Sequence, residues 1–237
     1  MPQVQFKDLG TLAYKKALDF QLQHFEFIKN IKIQNRDLTK DKQTETPNFF
    51  FFVTHPHVYT MGRNGNEANI LLDPKELKAK GIDYHKTNRG GDITYHGYGQ
   101  IVGYPIIDLD HFSGDIHLYM RNLEEVIIRT LNEYGIKGER SQGETGVWLD
   151  VGTTKTRKIC AMGVHTSRWV TMHGFALNVN TVLQYFNDII PCGITDKGVT
   201  SLQQELGKEI NENEVKIKIL KHAKIVFDMK FIDYKGL

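Results

Sequence analysis

The segment 88–100, NRGGDITYHGYGQ, sets Gly90, Gly91, Gly97 and Gly99 around a short alternating stretch, Ile93-Thr94-Tyr95-His96. Glycine gives up side-chain packing so that backbone can bend sharply or approach another group closely. Clustered inside a strand-rich region, it marks the wall of a binding site. Arg89 and His96 flank the strand as polar handles. The spacing also excludes two nucleotide loops. Gly97, Gly99 and Gly103 read GxGxxxG and precede the apolar run 101–109, whereas a dinucleotide fingerprint follows a strand and opens a helix. No GxxxxGK[ST] phosphate loop occurs in the chain.

Around this segment the pattern alternates between helix and strand. Tyr14, Ala17, Leu18, Gln21, Phe25 and Ile28 follow helical spacing, which predicts an amphipathic helix over about 11–30. A polar stretch, 35–48, reads as loop, and NFFFFVTHP after it as a buried strand ending at His55-Pro56. Residues 57–63 are expected to continue as loop. A short helix near 74–80 precedes strands at 82–86, 93–95 and 101–109. An amphipathic helix follows at 115–134, then strands at 146–151, 158–166 and 170–179. The last third offers a short helix at 181–186, a turn at IIPCGI, and helical segments near 201–206 and 214–229. This order predicts an α+β fold, a mixed and partly antiparallel sheet with helices packed on one side.

With 237 residues, 40% of them hydrophobic and 24% charged, the chain can bury a core as one compact domain, residues 1–237, with 205–237 as a helical C-terminal extension. Thirty basic residues against 28 acidic ones leave a net charge of +2, too even a balance to point to nucleic acid. The start, MPQVQFKDLG, lacks a basic stretch followed by an apolar core, and the apolar run 49–53 is too short to span a bilayer. A soluble, cytoplasmic protein without a membrane partner is expected. The two cysteines, Cys160 and Cys192, have neither CxxC spacing nor paired histidines, so neither a structural zinc nor a disulfide framework is expected.

Cys192 stands between Pro191, which fixes the approach of the chain, and Gly193, which removes bulk after the sulfur; the pair presents a thiol at an open turn. A free cysteine is otherwise a small buried hydrophobe. Nucleophilic use needs the thiolate, and hence a nearby cation or base. Lys158, at the head of the apolar strand Lys158-Ile159-Cys160-Ala161-Met162-Gly163, is the candidate; its alternative is a solvated turn lysine beside Lys155 and Arg157. Cys160, inside that strand, is expected to be structural. Ala161, Met162 and Gly163, facing His173-Gly174-Phe175-Ala176, could line a narrow apolar slot, with His165 and His173 as hydrogen-bonded structural residues in place of metal ligands.

Taken together, HPHVYTMGRNG at 55–65, RGGDITYHGYGQ at 89–100, RKICAMG at 157–163, HGFALNV at 173–179, and PCGI followed by VTSL at 191–194 and 199–202 resemble the octanoyltransferases of lipoate synthesis, a family related in fold to lipoate and biotin protein ligases. The resemblance covers most of the chain. It implies transfer of an octanoyl group from acyl carrier protein to a lysine of a lipoyl domain, through a cysteine thioester and without a cofactor or metal. The acceptors it implies are the E2 subunits of 2-oxoacid dehydrogenases and the H protein of glycine cleavage. By position the nucleophile is Cys192 and the lysine that lowers its pKa is Lys158. The substrate walls are Arg89, Gly90, Gly91, Asp92, Ile93, Thr94, Tyr95 and His96, then Ala161, Met162 and Gly163, then Gly174, Phe175 and Ala176. Two positions depart from the family pattern: Tyr98 replaces a frequent proline and His165 a frequent arginine. The competing readings are an ATP-dependent ligase, which needs no catalytic cysteine, and a non-catalytic module that binds lipoyl domains.

Overall fold

The computed structural model describes residues 1–191 and 197–237; residues 192–196, Cys192 and Gly193 among them, lie outside the described residues. The strands are β1 (Gln3–Thr11), β2 (Phe49–Thr54), β3 (Val58–Met61), β4 (Asp83–Lys86), β5 (Ile93–His96), β6 (Gln100–Ile106), β7 (Val147–Leu149), β8 (Arg157–Ser167), β9 (Val170–Asn178), β10 (Gly198–Val199) and β11 (Lys230–Asp233). The helices are α1 (Tyr14–Asn35), α2 (Pro74–Ala79), α3 (Ile116–Asn132), α4 (Leu202–Leu206) and α5 (Glu212–Val226). None of them is long and apolar enough to cross a membrane.

Two sheets result. The larger runs β10-β8-β9-β6-β2-β1-β11, with β7 also paired to β8, and mixes parallel pairs (β1 with β2 and with β11) with antiparallel ones (β2–β6–β9–β8). The smaller runs β4-β3-β5. The α+β fold with a mixed sheet is as expected from the sequence.

The phenylalanine run of β2 explains the layering. Phe50 and Phe52 enter a core with Leu123, Val126 and Ile127 of α3 and Val215 and Ile219 of α5, whereas Phe49, Phe51 and Val53 pack with Ala17, Phe25 and Ile28 of α1. Successive residues of a strand point to opposite faces. A run buried at every position therefore means that both faces are covered. The expectation of helices on one side is corrected accordingly: α1 covers one face, α3 and α5 the other.

Three further expectations change. Residues 58–61, read as loop, form β3, the centre of the smaller sheet; its short stretch VYTM is buried throughout because α2 and the 3-10 turn Leu183–Asp188 close over its outer side. The segment expected as a short helix at 181–186 is that 3-10 turn. The C-terminal region holds α5 and then β11, which joins the large sheet beside β1, and Val215, Ile219, Ala223 and Met229 sit in the main core.

Candidate active site

The glycine-rich loop docks onto the large sheet from the smaller one. Gly90 N–H donates to the carbonyl of Val164 on β8 at 2.9 Å, and Arg63 N–H to the carbonyl of Arg89 at 2.9 Å. The Arg89 guanidinium fastens the loop from within, donating through Nη2 to the Thr60 carbonyl at 2.6 Å and the Asp92 carbonyl at 2.8 Å, and through Nη1 to the Gly90 carbonyl at 3.0 Å. The Asp92 carboxylate accepts from the backbone N–H of Asn66 (3.1 Å) and Ile93 (2.6 Å) and from Asn69 Nδ2 (2.5 Å). Pairing a fixed fork with backbone carbonyls lets a buried arginine act as a structural tie.

Between loop, β5, β8 and β9 lies a cleft of about 560 Å³ measured to its open mouth. Its walls include Arg89, Gly91, Asp92, Ile93, Thr94 and His96 from the loop and β5, Lys158, Ala161, Met162 and Gly163 from β8, and Gly174, Phe175 and Ala176 from β9. Twelve of the fourteen residues expected as substrate walls are thus brought together, with Lys158 among them. The other two stand elsewhere. Gly90 is spent on the bond to Val164. Tyr95 points to the far side of β5, where its ring stacks on Tyr185 at 5.0 Å and its hydroxyl meets His57 Nδ1 at 2.7 Å. Strand alternation is the reason, since Thr94 and His96 take the cleft face.

Sequence reasoning missed Tyr14, Val102, Tyr104 and Thr145, which also line the cleft, while His173, read as a structural residue of the segment facing Ala161-Met162-Gly163, does stand in its wall. Tyr14 was legible as a helix-face residue, but nothing in the sequence says that the first turn of α1 reaches the site. Tyr14, Tyr104, His96 and His173 form a polar end. His96 lies between Gln100 Oε1 (2.8 Å) and Thr60 Oγ1 (3.3 Å), and its ring is parallel to that of Tyr14. Burial holds His96 well below the usual imidazole range, and burial, with Arg89 nearby, lowers His173 to about 3. Tyr14 is pushed up to about 12 by burial, against the pull of Arg89. Of the lining residues, Arg89 and Lys158 carry positive charge.

Some of the glycines serve close backbone approach more than open space. A Cβ on Gly163 would stand 2.7 Å from the Gly90 carbonyl oxygen, and one on Gly174 2.2 Å from that of Gly103. Ala161 and Ala176 are the small residues that border open volume on both sides. They also line a small second chamber, about 310 Å³ when counted out through its mouth to solvent, shared with Thr94 and Lys158 and walled by Gln100, Asn178, Phe186, Pro191 and Val199. Lys158 therefore sits where the cleft meets this chamber. Val199 of β10 lies beside it in register, and Thr200 N–H donates to its carbonyl at 2.9 Å.

Cys160 is fully buried in β8, and burial drives its thiol far above the ordinary range. That agrees with the structural role expected of it. His165 packs its ring against Phe25 at 5.7 Å, and Tyr98, half exposed, lies edge-on to His57.

Residues 27–224 match the family model described as the lipoyl protein ligase A/B catalytic domain. The chain is 61% identical over 230 residues to the octanoyltransferase of Flavobacterium psychrophilum, covering 97% of this chain and 98% of that protein. It is 60% identical over 226 residues to the octanoyltransferase of Christiangramia forsetii, covering 95% and 96%. Among solved structures, the bi-partite lipoate protein ligase studied with its E2 lipoyl domain from Thermoplasma acidophilum superposes with a TM-score of 0.70 at 15% identity, over 99% of this chain and 87% of that one. A lipoate-protein ligase A bound with ATP gives 0.68 at 15% identity, over 98% and 88%. The structural likenesses establish the fold, and the sequence identities, sustained over almost the full length, establish the kinship: this chain belongs to the lipoyl protein ligase A/B catalytic-domain family and is, within it, an octanoyltransferase.

Proposed function

We propose that residues 1–237 work as one cytoplasmic octanoyltransferase domain that takes an octanoyl group from acyl carrier protein onto Cys192 and passes it to a lysine of a lipoyl domain. The acceptors are the lipoyl domains of 2-oxoacid dehydrogenase E2 subunits and the glycine cleavage H protein. The observation that carries this reading is the chamber at Lys158, because Pro191, the chain neighbour of Cys192, lines it together with Lys158.

The chemistry follows from those groups. The Cys192 thiolate attacks the carbonyl carbon of the donor thioester, the carrier's thiolate leaves and takes up a proton, and the acyl group rests on the enzyme. The acceptor amine then attacks this second thioester; the amide C–N bond forms, the C–S bond breaks, and the amine proton passes to a base. A thioester is already activated, so neither step consumes ATP. Lys158 supplies the positive charge that favours the thiolate. The octanoyl chain lies in the cleft between Ala161 and Ala176 on one side and Thr94 on the other, away from water that would hydrolyse the intermediate.

Intact-mass analysis after mixing the full chain with octanoyl carrier protein, without ATP, tests this. One octanoyl adduct is expected, mapped to Cys192, abolished by Cys192→Ser and retained by Cys160→Ala. An adduct on Cys160, or acylation that needs free octanoate and ATP, overturns it.

A further inference from the structure

We infer that Trp148 is a positioning residue for the transfer reaction, its buried indole face holding the Lys158 ammonium at the junction of cleft and chamber. The inference rests on the reading of Lys158 given above and deepens it.

Trp148 and Lys158 are directly opposed across the antiparallel pair of β7 and β8. Opposed residues of such a pair share a face of the sheet. The Lys158 Nζ lies 4.3 Å from the centroid of the Trp148 ring, and the tryptophan is 1% exposed. An ammonium on a four-carbon stem samples many rotamers, so a lysine that must hold charge at one point needs something to fix its end. A desolvated aromatic face does so through its quadrupole, and tryptophan does so best.

The surroundings keep this platform in place. The backbone of Trp148 exchanges both hydrogen bonds with Glu139, at 2.8 and 2.9 Å. Ahead of it, Gly146 donates its N–H to the buried carboxylate of Glu124 on α3 at 3.1 Å; any side chain at Gly146 would meet the Cys160 carbonyl.

A second cation shares the ring. The Lys197 Nζ is 5.1 Å from the same centroid, but it is paired with Glu144 at 2.7 Å, and Glu144 also accepts from Ser141 Oγ at 2.6 Å. Glu144 thereby offsets the charge of Lys197, so the two ammonium groups can share the ring without displacing Lys158.

The test is a double-mutant cycle on the pH profile of Cys192 alkylation by iodoacetamide, using the full chain with Cys160→Ala so that one thiol reports. Trp148→Leu removes the quadrupole, Trp148→Phe keeps a weaker one, and Lys158→Met removes the charge; circular dichroism checks the fold of each. Trp148→Leu is expected to move the profile up by about one pH unit and Trp148→Phe by less, with neither shifting it in the Lys158→Met chain. If Trp148→Leu does not fold, the smaller shift of Trp148→Phe and its loss in the Lys158→Met chain decide the matter in the same way. Unchanged profiles in the Trp148 variants alongside a shift in Lys158→Met overturn the inference and leave the reading of Lys158 standing. A Trp148 effect that persists in the Lys158→Met chain also overturns it. No shift in Lys158→Met itself refutes the underlying reading, and the inference with it.

Discussion

The carbonyl oxygen of Gly90 stands 2.7 Å from the place a Cβ would occupy on Gly163, so loop and strand touch backbone to backbone. A side chain there must push the loop off β8 and break the Gly90–Val164 hydrogen bond. Gly163→Val is expected to cost about 1–3 kcal/mol of stability, as overpacking does. It should depress transfer of octanoyl and hexanoyl groups together, with their ratio unchanged. Denaturant unfolding and the two transfer rates check this.

Ala176 differs, since it lines both the cleft and the adjoining chamber. Ala176→Leu should shorten the preferred chain. Each sheltered methylene contributes about 0.8 kcal/mol, so displacing about two of them lowers the ratio of octanoyl to hexanoyl transfer roughly tenfold. Competition assays with the two acyl carriers give the ratio directly; an unchanged ratio in a folded variant removes Ala176 from the chain-binding wall.

Stability should depend on acid through buried imidazoles, His55 and His173 as well as His96. Burial lowers His55 to about 4, where it bridges the Leu12 carbonyl and the Tyr104 hydroxyl, and lowers His173 to about 3, where it meets Asn88. In the unfolded chain both titrate near 6.5. Between that pH and the folded values the unfolded state binds more protons, so stability is fully present above about 6.5 and falls as pH drops toward 4. At pH 5 each group accounts for a loss of about 2 kcal/mol. Thermal unfolding at pH 7 and pH 5 should show the fall, and His55→Gln should flatten it; an equal slope in the variant disproves the assignment.

Several elements could be read from the chain because the information is local. The spacing of Tyr14, Ala17, Gln21, Phe25 and Ile28 marks a helix, and these side chains are the buried face of α1. The glycine segment was legible as one wall of a cleft. What local pattern does not carry is which side an element takes. Tyr95 and Thr94 are neighbours in a short strand, and their opposite fates depend on the second sheet, whose central strand is only Val58–Met61. β1 was missed although Val4 and Phe6 alternate with polar residues, because its partners Phe49–Thr54 and Lys230–Asp233 are remote in sequence. The same remoteness hid Tyr14 and Thr145 from the site.

The pairing of β1 with β11 sets Gln3 opposite Lys230, so one edge of the large sheet joins nearly the two extremes of the chain. During synthesis β1 and α1 emerge early, yet that edge stays open until residue 230 has left the ribosome. Contacts of such sequence separation carry a large loop-closure entropy and form slowly. In the interval the nascent chain presents the unpaired rim of β1 to whatever passes, which exposes β1 to non-native strand pairing and makes it a segment that a holding chaperone would have to cover.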